Sequence, residues 1–326
     1  MKKTLILSLL ISVIYFNVSA QDSNFKPSGK PFVTIFSNFH VNDLGGELAP
    51  AFELNRAYLG YSYYLSKNFS AKLNIDVGNP GIGKLQHTTF IKIAALTYKT
   101  EKISVDFGMI STNLFKVQEK NWDHRYMYKT FLDGYKLGHS ADLGVSVRYK
   151  PVSFITIDAI IINGEGYKNV QADSTFKAGI GFTVEPVKKL QLRAYVETMP
   201  ENVSQNTFTA FIGYVGDKFS FGGEYNKQWN HDMITDQNYG GISAYASYFL
   251  NDKFELFGRY DNLSSDEISG NSDPWNIAND GELFILGLEY AAIKGVKISP
   301  NFQAWNPASD GSSIMYNAFL SLEVKF

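Results

Sequence analysis

The chain contains no cysteine. That removes a disulfide framework, thiolate metal sites and a lipid-modified N-terminal Cys in one step. Its five histidines (His40, His87, His124, His139, His231) include no pair at helical metal-ligand spacing. It also lacks a dominant charge: 30 basic against 32 acidic side chains leave −2, which gives no reason to invoke nucleic acid. Beyond residue 20 there is no apolar run of the ~20 residues that a spanning helix needs. A helical membrane protein is thereby excluded. A barrel is not, because alternating polar and apolar residues cancel in any average.

What is present begins at the N-terminus. Lys2 and Lys3 precede the apolar stretch Leu5–Phe16, and Val18-Ser19-Ala20 stands before Gln21. This is the pattern of a cleaved signal peptide over 1–20, leaving 21–326 as one domain. The apolar stretch is too short for a membrane anchor. Its removal takes two Lys and no acid, so the formal charge moves from −2 to −4.

The far end carries the strongest fold signal. Tyr316, Ala318, Leu320, Leu322, Val324 and Phe326 share one parity, while Asn317, Ser321, Glu323 and Lys325 fill most of the other. Successive strand residues face opposite ways, so the segment has one apolar and one largely wet face. A terminal aromatic is common where a last strand closes an outer-membrane barrel. Phe326 is accordingly expected to serve as an assembly signal for the barrel assembly machinery. The same alternation recurs in Phe69–Val77, Ala141–Tyr149 and Lys177–Glu185, with charges confined to one parity. A charge on the lipid face at mid-membrane would cost ~2–4 kcal/mol, which accounts for that segregation.

About sixteen such segments are expected, near 31–40, 51–65, 69–77, 87–98, 103–111, 139–149, 153–163, 175–185, 190–198, 206–215, 218–228, 239–250, 253–261, 282–290, 296–304 and 314–326. Tight turns alternate with longer loops, at 41–50, 78–86, 112–138, 164–174, 199–205, 229–238, 262–281 and 305–313. The fold class is therefore all-β: a transmembrane antiparallel barrel with short periplasmic turns and long extracellular loops. Aromatics beside the short turns, such as Phe69, Tyr149, Phe219, Tyr248 and Phe254, fit an interfacial girdle. A soluble sandwich of this many strands would need two or three domains, and no composition shift marks their boundaries.

Few motifs carry chemistry. Gly78–Lys84 (GNPGIGK) approaches the phosphate-cradling loop but has Leu85 where magnesium would need a hydroxyl, and a strand pattern follows instead of a helix. It reads as a Gly/Pro surface loop. No Ser/His/Asp set falls together, so no enzyme is expected. Asp261–Asp280 is rich in Asp, Asn and Ser but lacks the spaced-carboxylate signature of a calcium loop, and a solvated loop is the better reading. No cofactor and no metal site are expected.

Thr112–Gly138 stands apart. It spans 27 residues, far above the usual ~4–6 of a connection, and loops of this length are functional or disordered. Aromatic Phe115, Trp122, Tyr126, Tyr128, Phe131 and Tyr135, interleaved with Lys116, Lys120, Arg125, Lys129 and Lys136, argue against disorder. The plainer reading is an extracellular loop packed on its neighbours. The other places it in the lumen as a constriction, with Trp122, Arg125, Tyr126 and Lys129 at the passage.

Glu53–Tyr61 (ELNRAYLGY), Trp122–Tyr126 (WDHRY), Ala141–Gly144 (ADLG) and Val296–Trp305 (VKISPNFQAW) resemble the porins of the Bacteroidetes, which are similar in turn to the phosphate-selective porin O and P family. The resemblance implies a sixteen-stranded channel and leaves a homotrimer open. It also implies an outer-membrane location among lipids and lipopolysaccharide.

Parity places Arg56, Lys72, Arg148, Lys177, Arg193, Arg259 and Lys297 on the lumen side, with Arg56, Arg148, Arg193 and Arg259 expected to line the pore. Asp76, Asp106, Asp142, Asp158, Glu197, Glu224, Glu255 and Glu289 share that side. A phosphate channel should show a basic excess at its narrowest point, and this interior is balanced. The expected function is passive diffusion of small hydrophilic solutes with at most mild anion preference. The competing reading is a closed barrel with a structural or surface-binding role. That reading would fill the lumen with bulky apolar side chains, of which only Phe257 and Phe319 stand out.

Overall fold

A computed structural model describes residues 25–44, 46–78, 87–270 and 272–326. The expected signal peptide and nearly all of the Gly/Pro loop at 78–84 lie outside these. Sixteen strands run β1 (Ser28–Leu44), β2 (Glu47–Tyr64), β3 (Phe69–Gly78), β4 (Thr88–Lys99), β5 (Ile103–Ser111), β6 (Ala141–Val152), β7 (Ile155–Ile162) and β8 (Lys177–Val184). They continue β9 (Leu190–Met199), β10 (Gln205–Val215), β11 (Phe219–Trp229), β12 (Tyr239–Phe249), β13 (Phe254–Ser265), β14 (Gly281–Ile293), β15 (Val296–Pro307) and β16 (Met315–Lys325).

Each strand pairs antiparallel with its sequence neighbour, and β1 pairs with β16 to close the cylinder. Closure leaves no edge with unpaired backbone groups, the condition for a sheet to stand in hydrocarbon. Phe326 is held at the seam, its N–H donating to Val33 O (3.1 Å) and its carbonyl accepting from Val33 N (2.8 Å). Both ends of the described chain therefore lie at the end that carries the tight turns.

All sixteen expected strands are present. One expected long loop, 41–50, is not. β1 and β2 pair as far as Leu44 and Glu47, and Gly46, at φ 96°, helps turn the chain there. A Gly-Gly pair is a two-residue hairpin signal, so residues read as loop belong to two unusually long strands.

The alternation sorts as the sequence requires. Over Leu192–Glu197 of β9 and Ile242–Tyr248 of β12, exposed and buried residues alternate strictly. Leu143, Val147, Ile161, Ile180, Val196, Leu286 and Leu320 face outward, while Ser146 and Ser321 are buried inside. Near the turn end, Phe69, Tyr149, Phe154, Phe219, Tyr248 and Phe326 are exposed on the outer wall. Phe254 and Tyr290 stack beside them at 4.8 Å.

The buried core is inside the barrel. Part of it gathers Leu114, Phe115, Phe131, Leu132 and Leu137 of the long loop against Ile160, Ile162, Tyr195, Tyr239 and Leu263 of the wall. The rest sets Trp122 against Phe211, Tyr245, Phe257, Leu283 and Ile285. Each such side chain contributes ~1.5–3 kcal/mol on burial. The long loop is thus a packed inner layer.

Candidate pore constriction

Thr112–Gly138 enters the lumen between β5 and β6. Its neck is tied where Thr112 Oγ1 donates to His139 O. Two short helices follow, α1 (Lys116–Trp122) and α2 (Phe131–Gly134). α1 stops where Asp123 takes a left-handed conformation (φ 54°). α1 lies close to the wall because Gly213 and Gly222 leave room there: a Cβ on either would sit within 2.7 Å of the Asn121 amide.

Polar contacts fix the loop along one arc. The Gln118 amide donates to Thr209, and Tyr245 OH to Gln118 O. Tyr126 OH donates to Glu289 (3.0 Å), Tyr135 OH to Asp261 (3.1 Å), and Gln228 Nε2 to Leu137 O (2.7 Å). Burial, then the Glu289 charge, raise the Tyr126 phenol far above its usual range, so it stays a donor.

Two expected pore-lining arginines take part in this anchoring, which corrects their assignment. Arg193 makes a two-pronged pair with Asp158 (2.6 and 3.0 Å) and donates to Asn113 O of the loop. Arg259 pairs with Asp261 (2.8 and 2.7 Å) and donates to Lys129 O. Both are buried beneath the loop, with no access to a passage. Trp122 is corrected likewise: it is 2% exposed, donates from Nε1 to Tyr128 O, and packs on Tyr245 and Phe257.

The opposite arc remains open. A cavity of about 390 Å³ toward the loop end is lined by Phe36, Glu53, Asn55, Arg56, Arg125, Tyr126 and Lys129, among others. A second, of about 370 Å³ toward the turn end, is lined by Phe36, Tyr58 and Asn74, by the cations Lys92, Lys116, Lys120, Arg125 and Lys325, and by the carboxylates Glu119, Asp123 and Glu323, among others. Phe36 and Arg125 belong to both, and the Phe36 and Tyr126 rings stand 6.3 Å apart between them. Of the expected constriction residues, Arg125, Tyr126 and Lys129 therefore come together here, and Trp122 does not.

The charges of this passage are unevenly matched. Arg125 reaches Glu119 (3.4 Å) and Asp133 (3.3 Å), and Lys129 reaches Asp133 (3.3 Å). Against the cost of burial, Lys129 and Arg125 hold the Asp133 carboxyl below its usual value. Arg56 pairs with Asp76 (2.8 Å), which also accepts from Tyr167 OH (2.7 Å). Lys72, Lys92, Lys116, Lys120 and Arg148 form no ion pair among the described residues. Lys92 instead donates to Tyr58 OH (3.3 Å) and lies over its ring, and Lys72 lies over Phe32. Burial, with Arg148 next, pushes the Lys116 ammonium down to about 8. Of these five cations, Lys92, Lys116 and Lys120 line the turn-end cavity, where Glu119, Asp123 and Glu323 stand with them.

Sequence reading missed Phe36, Tyr58, Lys92 and Tyr167. Two bulges explain part of this. β2 carries an extra residue opposite Phe36 and Ser37, so Asn55 and Arg56 both reach the lumen. β4 carries one opposite Asn74 and Ile75, which turns Lys92 inward beside the buried Ile93. A bulge breaks strict alternation and re-aims a side chain. Parity alone cannot show it.

No family model and no curated protein matches the chain. Solved structures do. OmpF of Salmonella typhi, in complex with daunomycin, is 11% identical, with a TM-score of 0.69 over 91% of this chain and 97% of its own. The outer-membrane channel DcaP of Acinetobacter baumannii is 11% identical, with a TM-score of 0.68 over 93% and 99%. OprB of Pseudomonas putida is 9% identical, with a TM-score of 0.67 over 91% and 94%. The chain therefore has the closed sixteen-stranded fold of the outer-membrane porins.

Proposed function

We propose that this protein is a porin of the outer membrane that passes small hydrophilic solutes by diffusion, with at most a mild preference for anions. The observation that carries this reading is the open arc: two polar cavities meeting at Phe36 and Arg125, beside a loop packed against the far wall. The anion preference rests on Lys92, Lys116 and Lys120, which line the turn-end cavity without ion pairs among the described residues, and it is limited by Glu119, Asp123 and Glu323 beside them. Rings of such side chains favour anions in pores. Binding by separate lysines stays weak enough for release. Phosphate selectivity forms no part of the proposal, because the two best phosphate forks, Arg193 and Arg259, are already occupied by carboxylates. The resemblance to Bacteroidetes porins stands as part of this reading.

In this setting the tight turns face the periplasm and the longer loops the exterior. A cleaved signal at 1–20 would take the chain through the inner membrane, and lipid and lipopolysaccharide would cover the outer wall. A homotrimer suits the shallow apolar groove on the outer face of β12–β16, where Ala246, Gly258, Pro300 and Ala318 are small or flat. An outer-membrane protein of Vibrio cholerae, OmpT, solved in a trimer form, has a TM-score of 0.62 at 14% identity over 93% of this chain and all of its own. Phe326, exposed at the seam, would be the terminal signal read during assembly. Its replacement by Asp is expected to lower the yield of heat-modifiable barrel; normal yield would remove that role.

The test of the channel is electrical. Replacing Val117–Leu132 by a short Gly/Ser linker should raise single-channel conductance in planar bilayers. Arg125→Glu with Lys129→Glu should move the reversal potential toward cations. Unchanged values from both would place the loop outside the conducting path and leave a closed barrel as the better reading.

A further inference from the structure

Directly after α1, His124 is 1% exposed in a chain with only five histidines. Its Nδ1 lies 2.7 Å from Trp122 O, so that nitrogen carries a proton and donates it to the carbonyl. Its Nε2 makes no hydrogen bond. It is nonetheless aimed at two carboxylates, with Glu255 Oε1 at 3.3 Å and Glu289 Oε2 at 3.6 Å. A buried imidazole nitrogen facing two carboxylates needs a proton or a cation between them. We propose that His124, Glu255 and Glu289 form a site for a zinc-class divalent ion, which clamps the inserted loop to β13 and β14.

The spacing fits such an ion. Ligands about 2.0 Å from a tetrahedral centre lie about 3.3 Å apart, close to the two nitrogen–oxygen separations. All three ligand atoms lie within 4.8 Å of one another. The carboxylates would have to draw closer, and the Glu255 side chain, 17% exposed, is the less buried of the two. That exposure also leaves a fourth position for water.

The surroundings are those of a ligand set. A metal-binding imidazole usually donates its other N–H to a carbonyl, which fixes tautomer and ring orientation. Trp122 O does this, and the Trp122 and Phe257 rings hold the imidazole at 4.8 and 4.4 Å. Glu289 is oriented in turn by Tyr126 OH at Oε2 and by Lys297 Nζ (2.9 Å) at Oε1. Lys297 also reaches Asp123 (3.0 Å), which lines the turn-end cavity and marks the route of entry. Asp123, Glu255 and Glu289 outnumber Lys297 around the imidazole, an excess of two carboxylates that one divalent ion would balance. An imidazole nitrogen among the ligands favours zinc-class ions over calcium or magnesium.

The experiment is calorimetric titration of the purified, refolded full barrel, stripped by chelator, with Zn²⁺ and separately with Ca²⁺. One Zn²⁺ per chain is expected, with no comparable Ca²⁺ binding. His124→Gln and Glu255→Gln should each weaken Zn²⁺ binding by more than about tenfold, the least effect seen even for outer-shell partners. The heat-dependent gel shift establishes that each variant is a folded barrel. Should His124→Gln fail to fold, Glu255→Gln carries the test, because its side chain is partly exposed. Absence of Zn²⁺ binding, as a protonated His124 between its two glutamates would give, overturns the site. So does Zn²⁺ binding of equal strength in wild type and folded variants. Neither result bears on conduction, which the loop replacement tests separately.

Discussion

The two arcs of this barrel are built from the same strand pattern and do opposite things. Along β7–β14 the inward positions include Ile160, Ile162, Phe211, Leu263, Leu283 and Ile285, and the inserted loop covers them. Along β1–β4 they include Thr34, Asn55, Arg56, Tyr58, Asn74 and Lys92, which line the two open cavities. The covered arc also holds its charges in closed pairs, such as Arg193 with Asp158 and Arg259 with Asp261. The open arc pairs Arg56 with Asp76 but keeps Lys72 and Lys92 without carboxylate partners among the described residues. An inward face is therefore not uniformly polar. What it carries depends on whether the loop or water lies against it.

The covered arc should break hardest. Arg193→Ala strands the buried Asp158 carboxylate, and Phe131→Ala empties a fully buried site. Each is expected to destabilise the barrel by about 3–5 kcal/mol, read from unfolding in detergent. Arg148→Ala on the unpaired set should change stability by no more than about 0.5 kcal/mol while moving the reversal potential toward cations. Equal stability losses from Arg193→Ala and Arg148→Ala would erase the distinction between the arcs.

The smallest effect sharpens the same contrast through pH. Lys116, held down to about 8, is charged below that value and neutral above it. Raising pH from 7 to 9 should therefore reduce anion preference, and Lys116→Gln should flatten that response. A response that survives in Lys116→Gln would assign the titration to another group.

The strands were legible because hydrocarbon outside tolerates no charge, so Leu143 and Val145 alternate with Asp142, Gly144 and Ser146 without exception. The inserted loop was legible from its length and its aromatic residues. The partner of Arg193 was not, because pairing it with Asp158 depends on the register across β7, β8 and β9, which no single segment contains; Asp261, by contrast, lies two residues from Arg259 on the same face of β13. Phe257 stood out as an exception to the polar interior. Its reason, the seat for Trp122 and His124, needed the loop in place. Among the four constriction residues, Trp122 lies on the wall side of the loop and Arg125 on the passage side. One turn of chain separates those fates.

The bulges of β2 and β4 give the inner wall a longer alphabet than the outer one. Over the same stretch of β2, Glu53, Asn55 and Arg56 all address the passage, while the outward alternation of Leu54 and Ala57 continues on either side. A residue inserted at such a point adds a functional group to the lumen without re-registering the lipid face. The lining of this barrel can therefore change by single-residue insertion or loss at a bulge, with the outer face left as it was.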